Sequence, residues 1–535
     1  MSEIIAVVHG TNSSGDRIGV PVTGEGHLEV AVHGPRLPFG SVHTESLTPI
    51  FQIDAVYGIG SEMVATTGIG YELSPPTPGV SSGSTSGASN LFTCSTGTTA
   101  FSFATIQSRY RLRYRAGQGV VGRFTAKFGT PAASTVVVAG IGTGEAGLFF
   151  GYNGTSFGIL HSTGGVREIQ TFTVTTRCTG TGTGTFRLNG LDYEFTIPSG
   201  ATTQRTAYDI SQLTIPGWNV TATGSTVVFL ANAVGDKAGA FTFTLGSATG
   251  LAGTFAETVA GVASADTWVP QAAWNGPDKL DGEGASGVTI DPSKGNVFQI
   301  GVQYLGYGSV TMWVEAGLQP NNPDFVPVHT FDFPNTRSAV NISQPSFPFT
   351  MAAYSSGATT NVSVSCSSVA GFIEGVKKLT GPRMTYTREA NNFVGSAAST
   401  YYPLYTVRNR SNWGNGSVNR ANQSIVNVIS AGAAHGDATP VTLYLIKNAT
   451  LIGPVSFSDW STSSCTAVDQ GATTCTFTNN DQLILSLPMG NGSNAILALS
   501  DDVMLQPGES LTVAARAVTG TTVWVIANLN TREDH

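Results

Sequence analysis

Charge is what this 535-residue chain has least of. Asp, Glu, Lys and Arg make up 11% of it, against roughly 25% in an ordinary soluble domain, so a surface wholly open to water is not expected. The formal net charge of −8 gives no general attraction to nucleic acid or to an anionic membrane. No stretch approaches 18 apolar residues without Gly or a polar interruption, which excludes a transmembrane helix and membrane insertion by that route. The opening Met1–Val8 has no basic region and no cleavage pattern of a signal peptide, so synthesis and assembly in the cytoplasm are expected. Cysteines are few and scattered: Cys94, Cys178, Cys366, Cys465 and Cys475 contain no C-x-x-C, which argues against zinc. Cys465 and Cys475 flank a short polar loop and could face each other across a hairpin, although a cytoplasmic origin favours free thiols. Catalytic signatures are few: no P-loop or H-E-x-x-H occurs. No catalytic, cofactor-binding or metal-ligating residue is therefore assigned, and the expectation is a protein that is not an enzyme and holds no cofactor.

What replaces charge is Gly (65 residues), Thr and Ser, a mixture suited to strands with tolerant outward faces joined by Gly turns. Phe101, Phe103 and Thr105 alternate, Tyr110, Leu112 and Tyr114 alternate, and Ser134–Ile141 is β-branched. Strands at this spacing predict an all-β protein of serial, jelly-roll-like β-sandwich domains. Residues 171–265 read as a small β-rich insert with one helix at Thr202–Leu213, where Ala207, Ile210 and Leu213 recur behind a Thr-rich cap region. The organisation expected is an extended N-terminal arm over 1–73 and a Pro/Gly/Ser linker or loop over 74–90. A discontinuous sandwich follows over 91–170 plus 266–376, interrupted by the insert, and a second sandwich occupies 377–535. The arm carries Pro35, Pro38 and Pro49 beside Leu37, Phe39, Ile50 and Phe51. Apolar side chains on a segment too irregular to fold alone mark a docking surface.

Four local patterns invite a chemical reading. Gly142-Thr143-Gly144-Glu145-Ala146-Gly147 matches G-x-G-x-x-G, but Leu148–Tyr152 continues as strand where a nucleotide loop must open a helix, so a hairpin turn is expected. His9, His27, His33 and His43, near Glu45 and Asp54, lack the close spacing that fixes a ligand set, and packing or inter-subunit hydrogen bonding is expected of them. Asp278-Lys279-Leu280-Asp281-Gly282-Glu283-Gly284 fails the calcium-loop template and reads as a solvated loop, with a weak cation site or a glycosidase carboxylate pair as minor readings. Arg109, Arg111, Arg113 and Arg115 put four guanidinium groups on one strand face. Like charges so placed call for carboxylates within the domain or on another subunit, for solvation, or for a bound polyanion.

Several segments resemble a family of virion proteins encoded by tailed bacteriophages and other large aquatic viruses. They are GHLEVAVHGPRLPFGSVHTESLTPIFQIDAVYGI at 26–59, LFFGYNGTSFGILHSTGGVREIQTF at 148–172 and YLGYGSVTMWVE at 304–315. PLYTVRNRSNW at 403–413, LIKNATLIG and PGESLTVAARA resemble the β-sandwich that ends many of them. The resemblance implies a structural virion component, a fibre or appendage subunit attached to tail or head, assembled in the host cytoplasm, with other virion proteins and a host surface glycan as partners. It also implies a homotrimer, while the uncharged composition predicts self-association of some order. Two alternatives remain: a glycan-degrading, tailspike-like enzyme, or a capsid-decorating or head-fibre protein. No short repeat with stacked-coil periodicity supports the enzyme.

Overall fold

In a computed structural model the described residues are 9–11, 17–19, 47–69, 83–115, 118–215, 217–237, 239–319, 322–375, 381–397, 400–414, 419–436, 438–499, 503–519 and 523–534. Contacts divide the chain into Met1–Leu47 and Thr48–His535. Within the first unit His9–Thr11 pairs antiparallel with Arg17–Gly19. Leu37 and Phe39, with His27, His33 and His43, lie outside the described residues.

The second unit is nearly all β and its sheets are antiparallel, the serial β-sandwich class expected from the alternation. The first sandwich faces a seven-stranded sheet against a nine-stranded one. The former runs Ala265–Pro270, Ser156–Thr163, Gly147–Asn153, Thr135–Gly142, Ser346–Ser355, Ser102–Arg113 and Met63–Ile69. Every second residue points inward, and Phe124, Phe128, Phe150, Phe298, Phe347 and Phe349 fill the space between the sheets. Phe150 and Phe298 approach to 4.6 Å between ring centroids and Phe124 and Phe298 to 5.6 Å, the offset and tilted contacts that aromatic rings favour.

The arm expected over 1–73 is corrected from residue 47 onward. Leu47–Asp54 pairs with Ser368–Glu374, and Met63–Ile69 pairs with Ser102–Arg113, so both belong to the sandwich. Phe51 is buried in its core and Ile50 packs against it. These two side chains are therefore not available for docking elsewhere. Pro49 is compatible with this strand because the strand lies at a sheet edge, where a missing N–H leaves no ladder bond unmade. Ser84–Ala88, expected as linker, is likewise an edge strand paired with Leu91–Ser95.

The insert leaves the first sandwich between two neighbouring strands, Ser156–Thr163 and Ala265–Pro270, which pair with each other. Val166 and Val262 exchange backbone hydrogen bonds of 2.9 and 3.0 Å and close its neck, a few residues outside the start expected from the sequence. A four-stranded and a three-stranded sheet enclose Phe172, Phe186 and Phe229 together with the helix Thr203–Ser211. Thr202 caps that helix by accepting from the Arg205 N–H at 3.0 Å. The C-terminal sandwich, 383–534, packs a five-stranded sheet on a six-stranded one around Leu404, Val407, Leu443, Val513 and Val525. Cys465 and Cys475 are both buried and free, in two different clusters of that sandwich, and no disulfide joins them.

Candidate functional site: an arginine ladder between two sandwiches

The strand Ser102–Arg113 buries Ser102, Ala104, Ile106 and Ser108 on one face, and its odd-numbered residues line the other. Toward its end that outer face carries the arginines, and all four find partners in the C-terminal sandwich or beside it. Arg109 Nη1 lies 3.0 Å from Glu509 Oε1, and Lys447 Nζ reaches the other oxygen of the same carboxylate at 2.9 Å. Arg111 donates to Gln423 Oε1. Arg113 Nε is 3.5 Å and Arg115 Nη2 3.0 Å from the two oxygens of Asp534. The partner residues thus stand in the same chain. This corrects the expectation of an inter-subunit or polyanion contact at Arg109, Arg111, Arg113 and Arg115: one sandwich supplies the cations and the other the acceptors.

The G-x-G-x-x-G segment contributes to the same seam. It is a hairpin turn, with Gly142 paired to Gly147 and Thr143 N–H donating to Ala146 O at 2.8 Å. Gly142 has φ +130°, and a Cβ there would meet the Gly147 Cα at 2.2 Å, so the position requires glycine. The turn holds Glu145, buried, 2.6 Å from Arg167 Nε at the base of the insert. Arg111 senses both charges. Burial pushes its guanidinium down to about 10, the positive Arg167 adds to that, and Glu145 opposes it. Burial also lowers Arg113, with Asp534 opposing. An arginine guanidinium donates hydrogen bonds and accepts none, so what these two side chains offer is charge and donors.

The insert is fixed to the C-terminal sandwich by a second set of contacts. Arg408 is buried, donates to Ala222 O and lies 4.0 Å over the Phe457 ring. Arg205 donates to Gly453 O at 2.7 Å, and the Tyr208 hydroxyl accepts from Leu451 N–H at 3.2 Å. Tyr208 itself sits in a cluster with Ile446, Leu451 and Phe457.

The other sequence candidates fall elsewhere. Asp278 is buried rather than solvated, and its carboxylate accepts from Leu280 N–H at 2.8 Å and Ser286 N–H at 2.7 Å. Burial alone would raise that carboxyl, but the Ser286 and Leu280 hydrogen bonds hold it below its ordinary value. Asp54 accepts from Gln52 and is exposed. Among the described residues no group of three or more His, Cys, Asp or Glu is placed to hold a metal ion. Glu509 and Asp534 escape sequence reading, because nothing local marks a carboxylate whose partner lies hundreds of residues away; the Glu145–Arg167 pair and Gln423 likewise carry no local signal. Three buried histidines, His161, His329 and His435, are missed as well. His161 contacts Asn341 O at 2.8 Å, and His329 Nδ1 accepts from Asn275 N–H at 3.3 Å.

No family model matches the chain, and no curated protein matches it. Among solved structures it is similar to the binding domain of botulinum neurotoxin DC in complex with SialylT, at 9% identity and a TM-score of 0.21. That match covers 87% of this chain and 93% of the other. A likeness at that score carries no argument about function.

Proposed function

We propose that this chain is a structural subunit of a virus particle, of the fibre or appendage type, that assembles with copies of itself and with other virion proteins. The observation that carries the reading is the seam. Charged residues are scarce, yet Arg109, Arg111, Arg113, Arg115, Glu509 and Asp534 are committed to contacts that join two sandwiches. A load-bearing rod or spike needs such joints, whereas a soluble enzyme needs a mobile or concave site. The charge-poor composition supports self-association, and the resemblance of segments 148–172, 304–315 and 403–413 to phage virion proteins supports the particle. Residues 1–46 are the proposed anchor, since Ile50 and Phe51 belong to the sandwich. Contact of the C-terminal sandwich with a host surface glycan is a further part of the proposal. The test is to purify particles through a density gradient and search the intact-particle band by mass spectrometry and immunogold labelling. Peptides of this chain co-sedimenting with particles in fixed ratio to other particle proteins are expected; their confinement to the soluble fraction would overturn the reading.

A further inference from the structure

An open sheet edge presents unmade backbone hydrogen bonds, and proteins normally blunt such edges with charge, proline or a cover. Most edges here follow that rule. Ala265–Pro270 carries Asp266 and Pro270, Arg383–Val394 carries Glu389, and Leu191–Ile197 carries Glu194. The side of the C-terminal sandwich formed by Leu483–Met489 and Asn494–Ala498 does not. These strands end the six-stranded and five-stranded sheets, respectively, and the short Gly490–Ser493 turn joins them. From Leu483 to Leu499 not one residue is charged. Leu485, Leu487 and Ala495 pack on the core, while Ile484, Pro488 and Ile496 face outward.

The two strands differ in one respect. Pro488 removes a donor from Leu483–Met489, so that edge is partly blunted. Asn494–Ala498 has no proline, no charge and, among the described residues, no partner beyond Ile425–His435. Ile496 at its centre is 80% exposed, while on the other uncharged edges Met63–Ile69, Ser84–Ala88, Trp218–Thr223 and Thr242–Leu245 the exposed large apolar side chains, Val64 (39%) and Leu245 (41%), are half as open. A long β-branched side chain in mid-strand on an open edge offers a surface to which another strand can add.

We propose that Asn494–Ala498 pairs antiparallel with the same strand of a second copy, extending the five-stranded sheet across a two-fold axis at Ile496. This rests on the self-association proposed above and names the surface that performs it. A second copy fits because the edge is its own complement. Antiparallel pairing about Ile496 sets Ile496 against Ile496 and Asn494 against Ala498, with no charge left facing an apolar group. The neighbouring Ile484 and Pro488 surfaces then meet by side-chain packing. Two sheet edges about 10 Å apart and roughly 20 Å long bury on the order of 1,000 Å² in total, the lower bound for a stable interface. An isologous contact closes at two copies, so the form it produces is a dimer and not the trimer implied by the family resemblance.

The full chain supplies its own test. Residues directly opposed in an antiparallel pair have Cα atoms about 4.5–5.5 Å apart, within disulfide range. All five native cysteines are buried, so a new surface cysteine reports alone. On oxidation, Ile496→Cys is expected to give a covalent dimer, and Leu245→Cys, on another exposed edge, none. Sedimentation equilibrium at micromolar concentration is expected to show a dimer for the native chain. For Ile496→Lys, which places two like charges at the axis, association should weaken at least tenfold while the circular dichroism spectrum of the folded chain is unchanged. A native chain that remains monomeric overturns self-association itself. A native oligomer in which Ile496→Cys does not cross-link and Ile496→Lys still associates overturns this edge while leaving self-association standing. A trimer overturns the two-fold axis.

Discussion

Arg111 and Asp534 sit in one seam but answer differently to substitution. Asp534 serves two guanidinium groups at once, so Asp534→Asn leaves the half-buried Arg113 and Arg115 with one neutral acceptor between them. That is expected to cost about 2–3 kcal/mol, read as a lower urea midpoint at constant slope. Arg111 has only an amide for a partner and the most desolvated guanidinium of the ladder. Exchanging such a group for an apolar side chain of similar length is often nearly neutral, so Arg111→Met is expected to change stability by less than about 1 kcal/mol. The ladder itself was legible in the sequence, because period two is a property of the strand. Its partners were not, since a carboxylate such as Glu509 becomes informative only once the fold has brought it within 3.0 Å. The histidines provide a pH dependence. Burial lowers both His161 and His329, with the contact to Asn341 O opposing it at His161. A folded-state pKa below the unfolded value of about 6.5 means that their contribution is complete above that pH and is lost as pH falls through the folded value. The first sandwich is thus expected to lose stability on acidification below about pH 6.5, with net proton uptake on unfolding; no uptake near pH 6 would contradict it.

Among elements, the helix is the one the sequence placed best. Its three-residue apolar spacing and the Thr at its start are both local signals, and the helix Thr203–Ser211 lies inside the expected span. Thr202→Ala removes the cap and is expected to lower stability by about 1 kcal/mol, visible as a lower melting temperature. The edge strands were read worst. Leu47–Asp54 contains Pro49, and Ser84–Ala88 is Ser/Gly-rich, so composition alone marks both as irregular. Edge position makes both tolerable, and edge position is a tertiary fact. The insert's independence was only half visible. Its neck at Val166 and Val262 is a self-contained closure, but Tyr208 and Ala222 complete the surface of the C-terminal sandwich. Deleting 167–261 with a short linker is expected to leave the first sandwich cooperatively folded. The same deletion uncovers Phe457 and leaves Arg408 without its acceptor, lowering the stability of the C-terminal sandwich. Calorimetry of the deletion against the native chain separates these outcomes.

At the scale of the chain, the seam joins two sandwiches that each have a core of their own. The native chain is expected to unfold with the two cores coupled. In the Arg109→Ala, Arg113→Ala, Arg115→Ala triple variant the single calorimetric transition should split into two, each sandwich melting on its own. Persistence of one transition at a similar temperature would mean that apolar contact, not the ladder, couples them.

The seam also sets an order of events in time. Arg113 and Arg115 lie 421 and 419 residues before Asp534. At about 5–20 residues per second, a ribosome needs roughly 20–80 s to travel that distance. Over this interval the first sandwich can close around its phenylalanines, with its four guanidinium groups held in water as a hydrated stripe that discourages premature association. Emergence of Asp534 then quenches the stripe and docks the second sandwich onto a finished surface. Solubility during synthesis and rigidity afterwards are thus supplied by the same four side chains, used one after the other.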